Sequence, residues 1–389
     1  MAASAILSPA FLTAAAGNFL FFTGLGAFVL LPLHLRELGA TDSQLGLIMG
    51  CYSLTAIVVQ PPMGAWVDRG GRRAFLVSGA ILTALVALAF AALPDALRWF
   101  PVLRALQGAA FSIFFIANFA VVVDLAPPDR RSQALGIFGI SGILSGAVGP
   151  VLGELLVQAA GFRGLFLGAA ALPLLAAGIS ARLRVPHATS RAAGEGLPGL
   201  VRGIFAAPRL PMALGAAFGL GQGVMFTFFP TYAVDLGVRW VGLFAVAYSA
   251  AALLMRATAG GLADTMGRRA VIIPAMALQA GATLLLASLG LVTRVLGLPA
   301  GPLLALAGFV AGAAHGLLYP ALTALVVDVT PPDRRGRVVG VFMAFILLGQ
   351  AGGAAGFGAL AHALGYGLMF AVLGLVLVGA SALAYRLDR

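Results

Sequence analysis

Long apolar runs alternate with short polar stretches along the whole chain. A bilayer core of about 30 Å is spanned by roughly 20 helical residues, and membrane helices tolerate the glycines and prolines that these runs contain. The twelve runs of that length are residues 9–32, 44–66, 74–93, 99–124, 133–158, 163–182, 209–232, 239–262, 270–290, 301–327, 338–361 and 366–385. The pattern predicts an all-α polytopic membrane protein with twelve transmembrane helices.

The longest polar stretch separates the sixth run from the seventh. Residues 186–208 are rich in proline, glycine and arginine, a composition that is typical of a connection between domains. We therefore expect a six-helix bundle at residues 1–185, a cytoplasmic linker at 186–208 and a second six-helix bundle at 209–389.

Composition excludes a soluble or a disordered protein. The 389 residues are 61% hydrophobic and 10% charged, with a mean hydropathy of +1.03, whereas soluble domains are about 25% charged. The single cysteine, Cys51, excludes an intramolecular disulfide and a multi-cysteine metal site. We predict no metal and no cofactor.

The charge is strongly basic and unevenly placed. All 24 basic residues are arginines, and the net charge is +11. Such a balance is compatible with nucleic-acid binding, but 17 arginines are spread over the side of the two termini and the linker, against five on the other side. By the positive-inside rule the termini and the linker are cytoplasmic. We therefore expect a multi-pass monomer of the cell (inner) membrane that contacts the lipid bilayer and no nucleic acid.

Two motifs of the first half recur in the second half. Residues 64–73 recur as 260–269 at an offset of 196, and residues 123–131 recur as 327–335 at an offset of 204. The difference between the offsets predicts a longer loop at residues 291–300. Two parallel repeats of six helices place the substrate near the membrane midplane and predict transport by alternating access.

The first of these motifs resembles the signature that transporters of the major facilitator superfamily carry between their second and third helices. The matching residues are Gly64, Asp68, Arg69, Gly71, Arg72 and Arg73. The resemblance covers essentially the whole chain. It implies the fold of that family, with two pseudo-symmetric six-helix bundles.

Two further segments resemble motifs of the same family. Residues 103–108 resemble its fourth-helix motif, in which Arg104 is a buried arginine. A second set resembles the fifth-helix motif of antiporters and exporters, and consists of Ser145, Gly149, Pro150 and Gly153. Ser145 and Glu154 stand where that motif has glycines.

With Arg256 in the eighth run, these motifs look most like the sugar-efflux and multidrug-like proton antiporter branch. The resemblance implies a secondary active transporter that couples protons to the export of a small amphipathic or anionic organic compound. Proton-coupled uptake by symport and export of a lipid-like molecule are the alternatives.

The loop motif is interpreted as a conformational latch on the cytoplasmic side. Its residues lie where the second helix ends and the third begins, and the repeat places Asp264, Arg268 and Arg269 at the equivalent positions. A carboxylate at a helix terminus binds neighbouring N–H groups and arginines in one conformation and releases them in another. A solvated topology signal is the alternative.

Arg104 and Glu154 both fall in the outer third of the membrane on consecutive helices. Charged groups at such depth are usually paired or functional. We hypothesise that they pair and that a proton from outside switches the pair. A static salt bridge is the alternative.

Polar and aromatic residues near the midplane predict a substrate cavity. In the fourth run Arg104, Phe111 and Asn118 share one helical face, and the repeat relates Phe111 to His315. His315 is therefore a third candidate for proton coupling, although a packing role is equally compatible with its position. The predicted cavity residues are Asn18, Phe22, Gln107, Phe111, Phe115, Asn118, Gln222, Phe226, Arg256, His315, Tyr319 and Gln350. Phe229 is a further aromatic residue expected at this cavity.

Arg256 stays charged at physiological pH. It either holds an anionic group of the substrate or pairs with a helix C-terminus. Together with the lack of an obvious midplane carboxylate, it disfavours a purely cationic substrate.

An enzyme is the remote alternative. Residues 139–142 match the Gly-x-Ser-Gly of rhomboid-type intramembrane serine proteases. Ser141 would need a histidine within about 3 Å, and the midplane His315 belongs to the other half. A channel or a purely structural membrane protein is a further alternative, and no P-loop for ATP occurs in the sequence.

Overall fold

The computed structural model describes residues 6–127, 130–183, 196–331 and 334–388, and among these residues it contains helices and no β-strand. The α-helices are α1 (Pro9–Gly26), α2 (Leu31–Glu37), α3 (Asp42–Gly70), α4 (Arg72–Ala92), α5 (Phe100–Leu125), α6 (Arg131–Ser180), α7 (Gly196–Ala206), α8 (Arg209–Asp235), α9 (Leu243–Ala259), α10 (Leu262–Thr265), α11 (Arg268–Leu296), α12 (Ala300–Asp328) and α13 (Arg335–Ala384). A 3-10 turn, Ala27–Leu30, joins α1 to α2. The predicted all-α class is confirmed.

Each of the twelve predicted segments overlaps a helix. The helices α6 and α13 have 50 residues each, and at 1.5 Å per residue such a helix would be about 75 Å long, more than twice the bilayer core. Non-helical backbone interrupts α6 at Gly161 and α13 at Gly365. Each therefore accounts for two of the predicted spans.

Glycines with a left-handed backbone mark the internal repeat. Six of the seven described positions with positive φ form three pairs, namely Gly39 and Gly237, Gly71 and Gly267, and Gly161 and Gly365. A side chain is strained in this conformation, so the equivalent turns of both halves require glycine. The repeat is thus visible in the backbone as well as in the motifs.

The longer loop predicted at residues 291–300 is wrong. α11 has 29 residues and continues to Leu296, whereas its counterpart α4 has 21. The eight extra residues extend the helix, which ends at Gly297 with a φ of 63°. The run 291–296 contains leucine, valine, threonine and arginine and no helix breaker, so the helix continues through it.

The chain forms two compact units. The first comprises residues up to Phe28 and Thr55–Gly199, and the second comprises Val29–Leu54 and Leu200–Arg389. Of the predicted linker, residues 186–195 lie outside the described part, and α7 occupies most of the rest. Residues 29–54 belong to the second unit, and the predicted bundle boundaries stay a prediction.

Residues 29–54 pack within the second unit through small residues and polar contacts. A Cβ at Gly46 of α3 would overlap the carbonyl oxygen of Ala354 on α13, so the two backbones touch. Nη1 of Arg36 lies 2.7 Å from Oδ1 of Asp235 at the end of α8. These contacts explain why the segment belongs with the second unit.

Glycines also set the crossing of α12 and α9 in the second unit. Gly308, Gly312 and Gly316 recur every four residues on α12 and lie against the backbone of α9. A Cβ at Gly312 would overlap the carbonyl oxygen of Tyr248. Such close approach by small residues is a common way for membrane helices to associate.

We expect Gly312→Leu to destabilise the second unit, because the leucine forces α12 away from α9. The apparent Tm of the purified protein in detergent should fall by several degrees. Gly301→Leu on the same helix is the matched control, since a Cβ at Gly301 has no atom within 4 Å. Equal Tm values for the two variants would contradict this packing.

Candidate functional site

Three polar side chains from three helices form a network in the first unit. Asn118 on α5 donates from Nδ2 to Oδ1 of Asn18 on α1 at 2.7 Å. Asn18 donates from Nδ2 to Oγ of Ser141 on α6 at 2.8 Å. Because an unpaired amide in a bilayer costs several kcal/mol, the network holds these helices together at this level.

Aromatic rings lie beside this network on α1 and α5. Phe111 and Phe115 stack with 5.3 Å between ring centroids, and Phe22 meets Phe111 edge-on at 6.0 Å. The structure thus brings five predicted cavity residues of the first unit together. The wall that they form is weakly polar and uncharged.

Arg104 and Gln107 form a separate polar group on α5. Nη1 of Arg104 donates to Oε1 of Gln107 at 2.5 Å, and both side chains are buried. The oxygen of Gln107 is therefore engaged by Arg104. Glu154 on α6 is also buried, with 7% of its surface exposed, and its pairing with Arg104 stays a prediction.

The antiporter-type motif lies where α6 meets α1. A Cβ at Gly149 would lie 2.7 Å from the carbonyl oxygen of Thr23 and 3.0 Å from the backbone of Gly26. Ser145 and Pro150 are buried in the same contact, and Gly153 is buried one turn further on. The motif therefore permits close packing of the two helices.

Ser141 does not have the surroundings of a nucleophile. Its hydroxyl donates to the carbonyl oxygen of Phe138 at 2.7 Å and accepts from Asn18. A serine nucleophile instead donates to a general base. The geometry gives the protease alternative no support.

One arginine connects two carboxylates in the loop motif of the first unit. Nη2 of Arg72 lies 3.7 Å from Oδ1 of Asp68, and Nη1 forms an ion pair with Asp124 at the end of α5. Nη1 also donates to the carbonyl oxygen of Ala120 at 3.1 Å. The two motifs of the internal repeat therefore meet through Arg72.

The second unit repeats this arrangement. Arg268 pairs with Asp264, and its Nε lies 2.8 Å from Oδ2 of Asp328 at the end of α12. Asp124 and Asp328 were not predicted as part of the latch. The sequence did contain a signal for them, because both aspartates follow a valine at equivalent positions of the second repeated motif. The latch function itself stays a prediction.

The other latch residues have different surroundings. Arg69 and Arg73 are exposed, and Gly71 precedes α4 with a φ of 88°. Arg269 lies over the ring of Tyr385 at 5.5 Å. Gly64 lies inside α3, where a Cβ would have no atom within 4 Å.

A ring cluster in the second unit contains most of its predicted cavity residues. The hydroxyl of Tyr248 on α9 donates to Oε1 of Gln222 on α8 at 2.9 Å, and Phe226 meets Tyr248 edge-on at 5.1 Å. His315 on α12 lies 5.6 Å from Tyr248 and stacks on Tyr319 at 5.8 Å. The distances between rings are measured from centroid to centroid.

Arg256 completes this cluster. It acts electrostatically on Tyr248, His315 and Tyr319, and its Nε is buried without a hydrogen-bond partner among the described residues. Tyr248 was not predicted. It precedes Arg256 by eight residues, a spacing that puts both on one helical face and that would have identified it.

Two further residues expected at the cavity have other described contacts. Gln350 accepts a hydrogen bond from the hydroxyl of Ser53 at 3.3 Å. Phe229 is fully buried and stacks on Phe244 at 4.3 Å, so it belongs to the core of the second unit and does not line a cavity. Among the described residues there is no cluster of three or more potential metal ligands.

We expect the two halves to respond differently to loss of the repeated carboxylate. The side chains of Arg72 and Asp124 are 11% and 10% exposed, and breaking such a pair leaves a buried charge that costs on the order of 3 kcal/mol. Asp328 is 51% exposed, and loss of an exposed pair costs about 1 kcal/mol or less.

Asp124→Asn should therefore lower the apparent Tm clearly more than Asp328→Asn, as measured by thermal unfolding in detergent. Asp95→Asn is the matched control, because Asp95 is exposed in the loop after α4. A larger decrease in Tm for Asp328→Asn than for Asp124→Asn would contradict the energetic role assigned to burial of the Arg72–Asp124 pair.

Comparison with known proteins identifies related sequences over the whole chain. The model of the Major Facilitator Superfamily matches residues 11–298 and 240–389. The multidrug resistance protein MdtG of Salmonella typhimurium is 26% identical over 369 residues, which cover 90% of this chain and 88% of that protein. The staphylopine export protein of Staphylococcus aureus is 24% identical over 368 residues, with the same coverage of 90% and 88%.

A solved structure shares the fold. The crystal structure of the nucleoside transporter NupG aligns with a TM-score of 0.76 at 17% identity, covering 98% of this chain and 100% of that one. At this identity the likeness concerns the fold alone.

Proposed function

The chain belongs to the major facilitator superfamily, and on that basis we propose that it exports a small amphipathic or anionic organic compound in exchange for protons. The chain is a multi-pass membrane transporter of small molecules and not an enzyme. Export, proton coupling and cytoplasmic termini are the parts that we propose beyond this.

The direction of transport is supported by the relatives. Two proteins that align with about nine-tenths of the chain are named for multidrug resistance and for staphylopine export. The departures at Ser145 and Glu154 leave the close helix contact at Gly149 intact. Proton-coupled uptake remains the alternative.

The observation that carries the proposal is the repeated ring pair. Phe111 and Phe115 stack on α5 at 5.3 Å, and the equivalent His315 and Tyr319 stack on α12 at 5.8 Å. The amide side chain of Asn118 lies on the same helix as the first pair. The amide of Gln222 on α8 is bonded to Tyr248, which packs on His315 of the second pair. We propose that each pair is a candidate substrate contact within its own unit.

Glu154 is the proposed proton carrier. Its side chain is buried, with 7% of its surface exposed. A carboxylate inside a membrane is costly unless it is paired, and such residues often mark proton pathways. Arg104, which is buried in the same unit, is the proposed partner of its charged form.

We expect Glu154→Gln to abolish accumulation driven by a proton gradient while leaving exchange without a gradient intact. The amide keeps the shape and hydrogen-bonding capacity of the side chain but cannot release a proton. The measurement uses everted membrane vesicles that contain the protein and three test compounds, 2-naphthalenesulfonate, 2-naphthalenesulfonamide and ethidium.

Asp95→Asn is the control for this experiment, since it removes an exposed carboxylate. Gradient-driven accumulation of at least one compound by the wild type, lost in Glu154→Gln and kept in Asp95→Asn, is the expected result. Full accumulation by Glu154→Gln would disprove the carrier role, and a wild type that moves none of the three in response to a gradient would disprove the proposed function.

A further inference from the structure

The polar atoms without partners in the ring cluster of the second unit share one property. They are Nε of Arg256, Nε2 of Gln222 and Nδ1 of His315, and each is a buried nitrogen. Arginine and amide nitrogens only donate hydrogen bonds, and an imidazole nitrogen donates in one of its forms. The oxygen of Gln222 is already occupied by Tyr248. The cluster therefore offers donors and needs acceptors.

One acceptor elsewhere in this unit also lacks a partner. It is Oε1 of Gln279, but that side chain is fully buried on α11, where its Nε2 donates to the carbonyl oxygen of Phe218. Arg256, His315 and Tyr319 are instead half-buried as residues, although the unpaired nitrogens of Arg256 and His315 are buried atoms. The unpaired acceptor of Gln279 does not satisfy the donors of the cluster.

The charge of the cluster is likewise uncompensated. The described groups that act electrostatically on Arg256 are Tyr248 and Tyr319, and neither is a carboxylate. The arginines of the latch differ, because Arg72 and Arg268 each contact two aspartates. A guanidinium that is held in a membrane without a counter-ion is costly. A ligand with a negative charge would remove that cost.

The surroundings of these donors suit an apolar or aromatic body. Phe226 stands at 88° to Tyr248, and Phe218 lies 5.4 Å from the ring of His315. Rings packed in this way bury large apolar area and leave polar tips free for hydrogen bonds. The cluster thus combines an apolar wall with a single positive charge.

We propose that Arg256, Gln222 and His315 bind the acid group of an organic anion, and that Phe226, Tyr248 and Tyr319 hold its apolar body. The acid group is a carboxylate, sulfonate or phosphate, whose oxygens accept from all three nitrogens. This inference rests on the proposed function and names the substrate class of that transporter as anionic, in preference to neutral amphipathic compounds.

A structural role for Arg256 is the competing explanation. Arg256 lies three residues before the end of α9, where a positive charge favours the helix dipole. A structural arginine would stabilise the protein without distinguishing ligands by charge. Ligand discrimination therefore separates the two explanations.

The test compares two ligands of the same apolar body, one with a charged sulfonate and one with a neutral sulfonamide. 2-Naphthalenesulfonate and the neutral 2-naphthalenesulfonamide are titrated into the purified full chain, and binding is measured by thermal shift and by calorimetry. We expect the sulfonate to bind the wild type at least tenfold more tightly, since charge-assisted hydrogen bonds are about twice as strong as neutral ones. Arg256→Gln should abolish this preference.

Arg239→Gln is the matched control, because it removes an exposed arginine of the same unit and should keep the preference. Arg256→Lys retains the charge without the planar fork, and its preference should be intermediate. Monodispersity and Tm of each variant without ligand establish that it is folded. Equal binding of the two compounds by the wild type, no binding of the sulfonate, or an unchanged preference in Arg256→Gln would each overturn the proposal.

The vesicle assay distinguishes failure of this inference from failure of the proposed function. Arg256→Gln should lose gradient-driven movement of the sulfonate and keep that of the sulfonamide or ethidium, whichever the wild type transports. If Arg256→Gln moves the sulfonate at the wild-type rate, the inference fails and the proposed function stands.

Discussion

The low polarity of the bilayer is the constraint on which the rest of the structure depends. A charge or an unpaired polar atom inside the membrane is costly, so it must find a partner in the protein or in a ligand. Arg72, which is 11% exposed, pairs with two carboxylates, and the asparagines of the first unit hydrogen-bond to one another. The described groups that act electrostatically on Arg256 are Tyr248 and Tyr319, and neither is a carboxylate.

The two halves share a backbone plan and differ in their chemistry. The glycine turns, the charge clusters and the stacked pairs on α5 and α12 occur at equivalent positions. The first unit fills these positions with phenylalanines and amides, whereas the second places His315, Tyr319 and Arg256 in one cluster. The cluster of the second unit carries a positive charge, and this difference is why we assign substrate class to the second unit.

Much of the fold follows from the sequence because membrane helices are dictated by hydropathy and the repeat by its motifs. The helical segments and the repeat were predictable from spacing, and the substrate role of the cavity residues stays a prediction. The length of α11 was harder to predict from the sequence. A longer loop was expected at residues 291–300, but the helix continues to Leu296 because residues 291–296 contain no helix breaker. Residues 29–54 belong to the second unit because of contacts such as that of Gly46 with Ala354. A hydropathy pattern does not predict such a contact between distant parts of the chain. Tyr248 and Asp124 were missed because their partners are distant in sequence, although spacing held a signal for each.

The most direct test of the whole account is to measure proton movement and substrate movement in the same vesicles. Proteoliposomes that contain the purified chain are loaded with the pH dye pyranine and with 2-naphthalenesulfonate, then diluted into medium without the compound at equal pH. The account predicts that efflux of the sulfonate drives protons into the lumen and acidifies it, and that Glu154→Gln prevents the acidification. Sulfonate efflux through the wild-type protein with no change in lumenal pH would contradict it.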